Sequence, residues 1–143
     1  MPSNSEVTLE QWLKAATATL AQSLAWQPAS GDAVSARREA SSVLLAAIGK
    51  THAWLLTWPD ACLSTDELAR ADTWLARRAA GEPLAYLRGE QEFWSLSLQV
   101  APGILVPRAD TECLVEQALL RIASTGAVRV LDLGTGSGAI ALA

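Results

Sequence analysis

A glycine-rich turn constrains the fold of this chain more than any other feature, because it follows a predicted strand and precedes a predicted helix. The sequence from Val130 to Gly138 reads Val-Leu-Asp-Leu-Gly-Thr-Gly-Ser-Gly. The glycines at 134, 136 and 138 lack a Cβ atom, so the backbone can turn tightly and approach a ligand. The amide groups that begin the next helix would point at that ligand. Strand, glycine loop and helix in this order open a doubly wound, Rossmann-like nucleotide-binding unit.

Two ligand classes fit this loop on the residues alone, and a purely structural turn is a third interpretation. Gly134, Gly136 and Ala139 have the spacing of the dinucleotide fingerprint, in which the helix start receives a pyrophosphate. The other class is S-adenosylmethionine, whose amino-acid end lies against such a turn when an acidic residue ends the strand, here Asp132. The Asp132 carboxylate can orient an ammonium group, whereas a pyrophosphate gains nothing from it. The residues therefore favour the methyl donor and leave the other two interpretations open.

Composition limits the class of protein. The chain has 143 residues, half of them hydrophobic, which suffices for one packed domain or for one domain and part of another. No apolar stretch reaches the length of a membrane span, and the first six residues lack a signal-peptide pattern. Cys62 and Cys113 are far apart in the sequence, so we expect reduced thiols and a cytoplasmic protein. The net charge of −4 disfavours nucleic acid and acidic membranes as partners.

Helical periodicity and capping residues predict a helical bundle over residues 1–88. Thr8 with Gln11, and Ser64 with Glu67, each form a capping-box pattern ahead of an apolar helical stripe. Further boundary signals are Ser30 or Asp32 before a second helix, Gly49 after it, Pro59 after a short helix from His52 to Trp58, and Gly81 and Pro83 between the last two helices.

Three residue pairs in this region have both a structural and a partner-binding interpretation. Arg37-Arg38 and Arg77-Arg78 are predicted to lie on solvated faces, with contact to a partner protein as the alternative. Trp54 and Trp58 are four residues apart on one helical face, which predicts core packing or an anchor for a partner. His52 is the single histidine, so no paired-imidazole metal site is predicted.

The hydrophobic period changes after residue 88. Alternation from Trp94 to Val100 predicts a strand with one wet face, Pro102-Gly103 a turn, and Ile104–Val106 a strand that pairs back. The segment Thr111 to Ile122 has helical spacing and is predicted to end by Gly126. The nearly continuous apolar run Val128 to Leu133 predicts a parallel strand covered on both faces.

Three segments resemble the N5-glutamine methyltransferases that modify peptide chain release factors. They are Gly89-Glu-Gln-Glu-Phe-Trp94, the stretch from Leu105 to Gln117 that contains Pro-Arg-Ala-Asp-Thr-Glu, and Val130 to Leu142. The resemblance continues in Arg37 to Ala40, in Arg77-Arg78, and in Gly81-Glu-Pro83, so it covers nearly the whole chain. One departure is Ala109, where the family usually has a second proline.

The resemblance implies an α + α/β fold in three parts. These are a helical substrate-recognition domain over residues 1–88, a β-hairpin linker over 89–107, and the start of a Rossmann-like methyltransferase domain over 108–143. The implied reaction methylates the side-chain amide of the glutamine in the Gly-Gly-Gln motif of a release factor, with S-adenosylmethionine as methyl donor. The release factor is the expected partner, with no membrane and no direct nucleic-acid contact.

Single residues near the hairpin and in the last segment also have predicted roles. Arg108 and Glu112 could close over the cofactor or form a structural salt bridge. The family's catalytic Asn-Pro-Pro-Tyr motif does not occur in these 143 residues, so no catalytic residue is assigned among them. Two other functions stay open: a non-catalytic helical protein-binding module, and a related glutamine or nucleic-acid amino methyltransferase. The expected cofactor-binding residues are Arg108, Asp132, Gly134, Thr135, Gly136, Ser137 and Gly138.

Overall fold

A computed structural model of the chain describes residues 7–26, 33–122 and 128–143. The chain divides into two compact units, Met1–Leu84 and Ala85–Ala143. Within the described residues the secondary structure is helical except for one two-stranded antiparallel sheet and one isolated antiparallel bridge between Thr8 and Cys62. The sequence-based division into domains at residues 88 and 107 stays a prediction.

The first unit contains four helices, and two of them begin with the capping boxes that the sequence predicts. Thr8 Oγ1 accepts a hydrogen bond from the Gln11 amide at 3.3 Å, and Gln11 Oε1 accepts one from the Thr8 amide at 3.0 Å. Ser64 and Glu67 form the same reciprocal pair. Each such cap stabilises its helix by about 1 kcal/mol. The helices are α1 (Leu9–Gln22), α2 (Ala33–Ile48), α3 (His52–Thr57) and α4 (Thr65–Ala79), and α5 (Leu84–Arg88) begins at the last residue of this unit.

The predicted glycine stops are also confirmed. Gly49 follows α2 with a φ of +66°, and the Lys50 amide donates to the Leu45 carbonyl at 3.0 Å. Gly81 follows α4 with a φ of +94°. Both positions have the left-handed backbone that glycine adopts without strain at a helix end. The predicted start of α2 at Ser30 or Asp32 lies outside the described residues.

The core of the first unit forms where α1, α2 and α4 pack together. Apolar residues one helical turn apart on α1 and α2 are buried there, as the helical spacing predicts. Trp12 is buried as well, and its indole Nε1 donates to Asp72 Oδ1 at 2.8 Å, which links α1 to α4. The residues with the least exposed side chains in this core are Leu9, Leu13, Ala16, Leu20, Ala40, Val43, Leu44 and Ala71.

The hairpin of the second unit exists, but its predicted pairing is wrong. Strand β1 (Glu90–Phe93) pairs antiparallel with β2 (Leu96–Gln99), so the turn lies at Trp94-Ser95 rather than at Pro102-Gly103. The sequence did not predict β1 because three of its four residues are polar, so they show no alternation of apolar and polar positions. The segment from Ile104 to Val106 forms no strand, and the Ile104 carbonyl accepts a hydrogen bond from the Tyr86 hydroxyl at 2.6 Å.

The helix predicted over Thr111 to Ile122 is shorter than expected. A 3₁₀ turn (Ala109–Thr111) leads into α6 (Glu112–Leu119). Only Val115 of α6 is buried, although Leu114 and Leu119 share its predicted apolar face. The predicted end at Gly126 lies outside the described residues.

The strand predicted over Val128 to Leu133 is not formed. These residues form no β-sheet hydrogen bonds with another described segment. The side chains of Leu131 and Leu133 are 80% and 82% exposed. A strand satisfies its backbone only by pairing, and no described segment pairs with this one. The Rossmann-like start is therefore not confirmed.

A small second core nevertheless positions the segment that follows. Phe93, Leu98, Val115 and Ala139 are buried together, so the first residue of α7 (Ala139–Leu142) packs with the hairpin and α6. This packing places the glycine-rich turn, which ends at Gly138, directly before a buried anchor.

Candidate functional site

The glycine-rich turn has the backbone conformation that its sequence predicts. Gly134, Gly136 and Gly138 have φ angles of +77°, +56° and +81°, which residues with a Cβ rarely adopt. The Gly138 amide donates to the Thr135 carbonyl at 2.8 Å, and Thr135 Oγ1 donates to the Asp132 carbonyl at 3.3 Å. A Cβ at Gly134 would meet no atom within 4 Å, so backbone conformation rather than crowding requires glycine there.

Asp132 places an unsatisfied acceptor beside this turn. Its Oδ2 atom is inaccessible to water and has no hydrogen-bond partner among the described residues. Burying a polar oxygen without a partner costs about 1–3 kcal/mol, more when it is charged. A ligand with an N–H or O–H donor would satisfy this atom. The structure thus agrees with a binding role for Asp132, although that role stays a prediction.

Glu112 contacts the hairpin turn. Its Oε1 accepts a hydrogen bond from the Trp94 amide at 2.8 Å. Trp94 and Ser95 have φ angles of +52° and +62°, and such a conformation costs a bulky residue about 1–3 kcal/mol. Glu112 therefore stabilises a strained turn through a backbone hydrogen bond, which sequence reasoning missed because it considered only a salt bridge or a cofactor contact.

Arg108 is not brought to the glycine turn by any described contact. It precedes the 3₁₀ turn and its side chain is exposed. Within residues 7–26, 33–122 and 128–143, no hydrogen bond or ion pair joins it to the segment from Asp132 to Gly138. Its assignment to the cofactor stays a prediction.

A groove in the first unit was not predicted from the sequence. It lies between α1, α2 and α3 and has a volume of about 550 Å³. The exposed residues Val34 and Leu56 on its lining were the available signal, since both stand outside the buried stripes of their helices. Residues lining this α1–α3 groove are Glu10, Leu13, Val34, Arg37, Arg38, Ser41, His52, Leu55, Leu56 and Pro59.

Three arginines of the predicted pairs form ion pairs. Arg37 and Arg77 lie on solvated faces, as predicted, whereas the side chain of Arg78 is only 17% exposed. Arg37 Nη2 lies 2.7 Å from Glu10 Oε2 at the edge of the groove. This hydrogen bond lowers the pKa of Glu10 and raises the pKa of Arg37. Arg77 pairs with Glu82 and Arg78 with Glu39.

Trp54 and Trp58 differ in burial, so the prediction of core packing applies to only one of them. Trp54 is partly buried against the core of the first unit, whereas Trp58 follows the last residue of α3 and is 59% exposed. Core packing is thus confirmed for Trp54 alone.

Other site types find no support in the described part of the chain. No cluster of histidine, cysteine and carboxylate side chains could hold a metal ion there. Cys62 and Cys113 are exposed thiols that form no disulfide. None of the described helices is long and apolar enough to span a membrane.

Comparison with known proteins gives one family and a consistent set of relatives. Residues 11–89 match the family described as the PrmC N-terminal domain. A release factor glutamine methyltransferase of Vibrio cholerae is 51% identical over 137 residues, covering 96% of this chain and 45% of that protein. Proteins of the same name are 54% identical in Pseudomonas aeruginosa over 104 residues and 49% in Escherichia coli over 109 residues. These cover 73% and 76% of this chain but 37% and 39% of the relatives, so the chain spans less than half of their length.

Proposed function

The chain belongs to the PrmC N-terminal domain family, and from that membership we propose that it serves the methylation of a glutamine side chain in peptide chain release factors. Relatives that carry this activity in their names match 96% and 73% of the sequence. The protein substrate is the release factor, and the target is the glutamine of its Gly-Gly-Gln motif. The reaction belongs to the cytoplasm, where release factors act.

The proposed cofactor is S-adenosylmethionine. When bound, it supplies a methyl group on a positively charged sulfur, which the amide nitrogen of glutamine accepts while losing a proton. An amide nitrogen is a weak nucleophile, so the enzyme must align it and stabilise the transition state. Residues 1–143 contribute binding and positioning, and no catalytic role is assigned to any of them. The proposed cofactor residues are Arg108, Asp132, Gly134, Thr135, Gly136, Ser137 and Gly138.

The observation that carries this cofactor assignment is the buried, unpartnered Oδ2 atom of Asp132. An ammonium group offers it an N–H donor and a compensating positive charge. The pyrophosphate of a dinucleotide offers only acceptors and negative charge, so it would leave the oxygen unsatisfied and add repulsion. The same observation argues against a purely structural turn, since such a turn gains nothing from burying an unpaired carboxylate oxygen.

A second candidate is a non-catalytic protein-binding module. It is favoured by the α1–α3 groove, since a helical unit with an exposed apolar groove can bind a partner without chemistry. A related glutamine or nucleic-acid amino methyltransferase is the other alternative. The acidic charge balance of −4 opposes nucleic acid as its substrate.

A chimaera tests the proposed enzyme function. Residues 1–143 replace the matching stretch of the Vibrio cholerae relative, and transfer of a tritiated methyl group to the release factor of that organism is measured. We expect methylation that maps to the Gly-Gly-Gln glutamine. Asp132→Ala should lower kcat/KM by about 100-fold, the typical loss when one partner of a buried charge pair is removed. Asp60→Ala, at an exposed aspartate of the first unit, is the matched control.

Three results would contradict the proposal. A folded chimaera that methylates nothing would reject the enzyme function and favour the binding module. Methylation of RNA or DNA instead of the release factor would favour the nucleic-acid alternative. An Asp132→Ala chimaera as active as the Asp60→Ala control would reject the cofactor role of Asp132.

A further inference from the structure

We propose that the α1–α3 groove binds a segment of the release factor that presents a bulky apolar side chain beside a carboxylate. The inference rests on the proposed function for the identity of the partner. It adds the place on this chain where the partner docks and the chemistry that is recognised there.

The shape of the groove carries the apolar half of the proposal. Leu13 and Ser41 are buried at its floor, and Leu55 is partly buried against the core. On the same lining, Val34 and Leu56 are 58% and 82% exposed. Large apolar side chains that border a concave surface and remain in water are typical of a protein interaction site. A partner side chain placed on the floor would cover both of them.

The charges of the groove carry the other half. Arg37, Arg77 and Arg78 each form an ion pair with a glutamate. Arg38 differs from these three arginines because no described residue forms an ion pair with it. Glu10, the carboxylate on the groove lining, is already paired with Arg37 at 2.7 Å. Among residues 7–26, 33–122 and 128–143, the groove therefore presents one guanidinium without an ion-pair partner, which a carboxylate of the release factor would pair.

The combination favours a protein segment over a small molecule. A volume of about 550 Å³ would suit either occupant. However, a small molecule on the floor would leave the outer faces of Val34 and Leu56 in water, whereas a peptide backbone passing over the groove would cover them. A helix or extended segment with an apolar anchor docks in grooves of this kind.

Titration of the 143-residue chain with the Vibrio cholerae release factor tests the inference. Calorimetry gives the Kd, and amide spectra of the ¹⁵N-labelled chain locate the contact. We expect Leu56→Asp and Arg38→Glu each to raise the Kd by about tenfold or more, as loss of a central anchor does. Two matched controls lie outside the groove lining and should change the Kd less than about twofold. They are Leu24→Asp, at a leucine that is 89% exposed, and Arg70→Glu, at an exposed arginine of α4.

The outcomes separate this inference from the proposed function. If the unchanged chain does not bind the release factor, the recognition role and the groove assignment both fail. If it binds and the groove variants bind equally well, only the groove assignment fails. The amide spectra test the groove without any substitution, because binding that leaves Val34, Ser41 and Leu56 unperturbed overturns the assignment.

Discussion

The two units of the molecule differ in how completely their own residues cap their helices and bury their apolar side chains. In the first unit the helices carry their own caps, and apolar residues of α1, α2 and α4 bury one another. In the second unit four buried residues form a small core, and several large apolar side chains remain in water. The exposed ones include Leu105, Leu120, Val130, Leu131 and Leu133. Local signals thus suffice for a helical unit, whereas a sheet depends on partners that are distant in sequence.

The largest effect that sharpens this comparison is a core truncation in the first unit. Leu44 is fully buried, so Leu44→Ala should lower the free energy of unfolding by about 3 kcal/mol through lost burial and a residual cavity. Leu131→Ala removes an 80% exposed side chain and should change it by less than about 0.5 kcal/mol. Urea unfolding followed by circular dichroism measures both. Equal losses would contradict the difference between the units.

A smaller effect comes from the cap of α4. Ser64→Ala should cost about 1 kcal/mol, because the Glu67 amide loses its acceptor and the Glu67 carboxylate loses its hydroxyl donor. Hydrogen bonds from the Ser64 amide and hydroxyl lower the pKa of Glu67. A lowered pKa stabilises the folded state above the unfolded value of about 4.3 and ceases to do so as pH falls through the folded value.

The pH dependence gives this prediction its control. The difference in unfolding free energy between the parent chain and Ser64→Ala should shrink when the pH falls from 7 to about 3. Thr65→Ala, at the neighbouring exposed position inside the helix, should show no such pH dependence. A Ser64→Ala difference that stays the same between pH 7 and about 3 would mean that the Glu67 carboxylate does not take part in the cap.

The smallest effect concerns the hairpin of the second unit. Ser95 has a φ of +62°, so Ser95→Gly should stabilise the hairpin by about 0.5–1 kcal/mol by relieving the left-handed backbone. Ser97 lies inside β2, where glycine increases backbone freedom and removes the hydrogen bond that the Ser97 hydroxyl donates to Glu90 Oε2 at 2.9 Å, so Ser97→Gly should destabilise the hairpin by about 1 kcal/mol. Near-ultraviolet circular dichroism of the adjacent Trp94 follows the transition. A destabilising Ser95→Gly would mean that the turn is not held as described.

Sequence reasoning predicted the first unit well because its signals are local. The capping boxes at Thr8 and Ser64, the stops at Gly49 and Gly81, and the short α3 are each read from a few neighbouring residues. Their partners lie within one or two helical turns, so no knowledge of the tertiary structure is needed.

The errors fall where the partner is distant in sequence or the residue is atypical. In the turn at Trp94-Ser95, a bulky residue has the positive φ angle that glycine and asparagine usually adopt in hairpin turns. The sequence therefore contains no turn signal at this position. The hydrogen bond from the Trp94 amide to Glu112 joins residues that are 18 positions apart. The apolar run from Val128 to Leu133 predicts a strand, but a hydrophobic pattern does not identify the segment with which that strand would pair. The conformation of the glycine turn was predictable, whereas the burial of one Asp132 oxygen was not.

Hydrogen exchange of the backbone amides tests the central difference between the two units most directly. Amides in the middle of α1, α2 and α4 should exchange only through global unfolding, because these helices pack together over a buried core. Amides of residues 128–133 should exchange almost as fast as in an unstructured peptide, because no described residue pairs with them. Equal protection of the two sets would show that the apolar run from Val128 to Leu133 is paired after all, and would contradict the account.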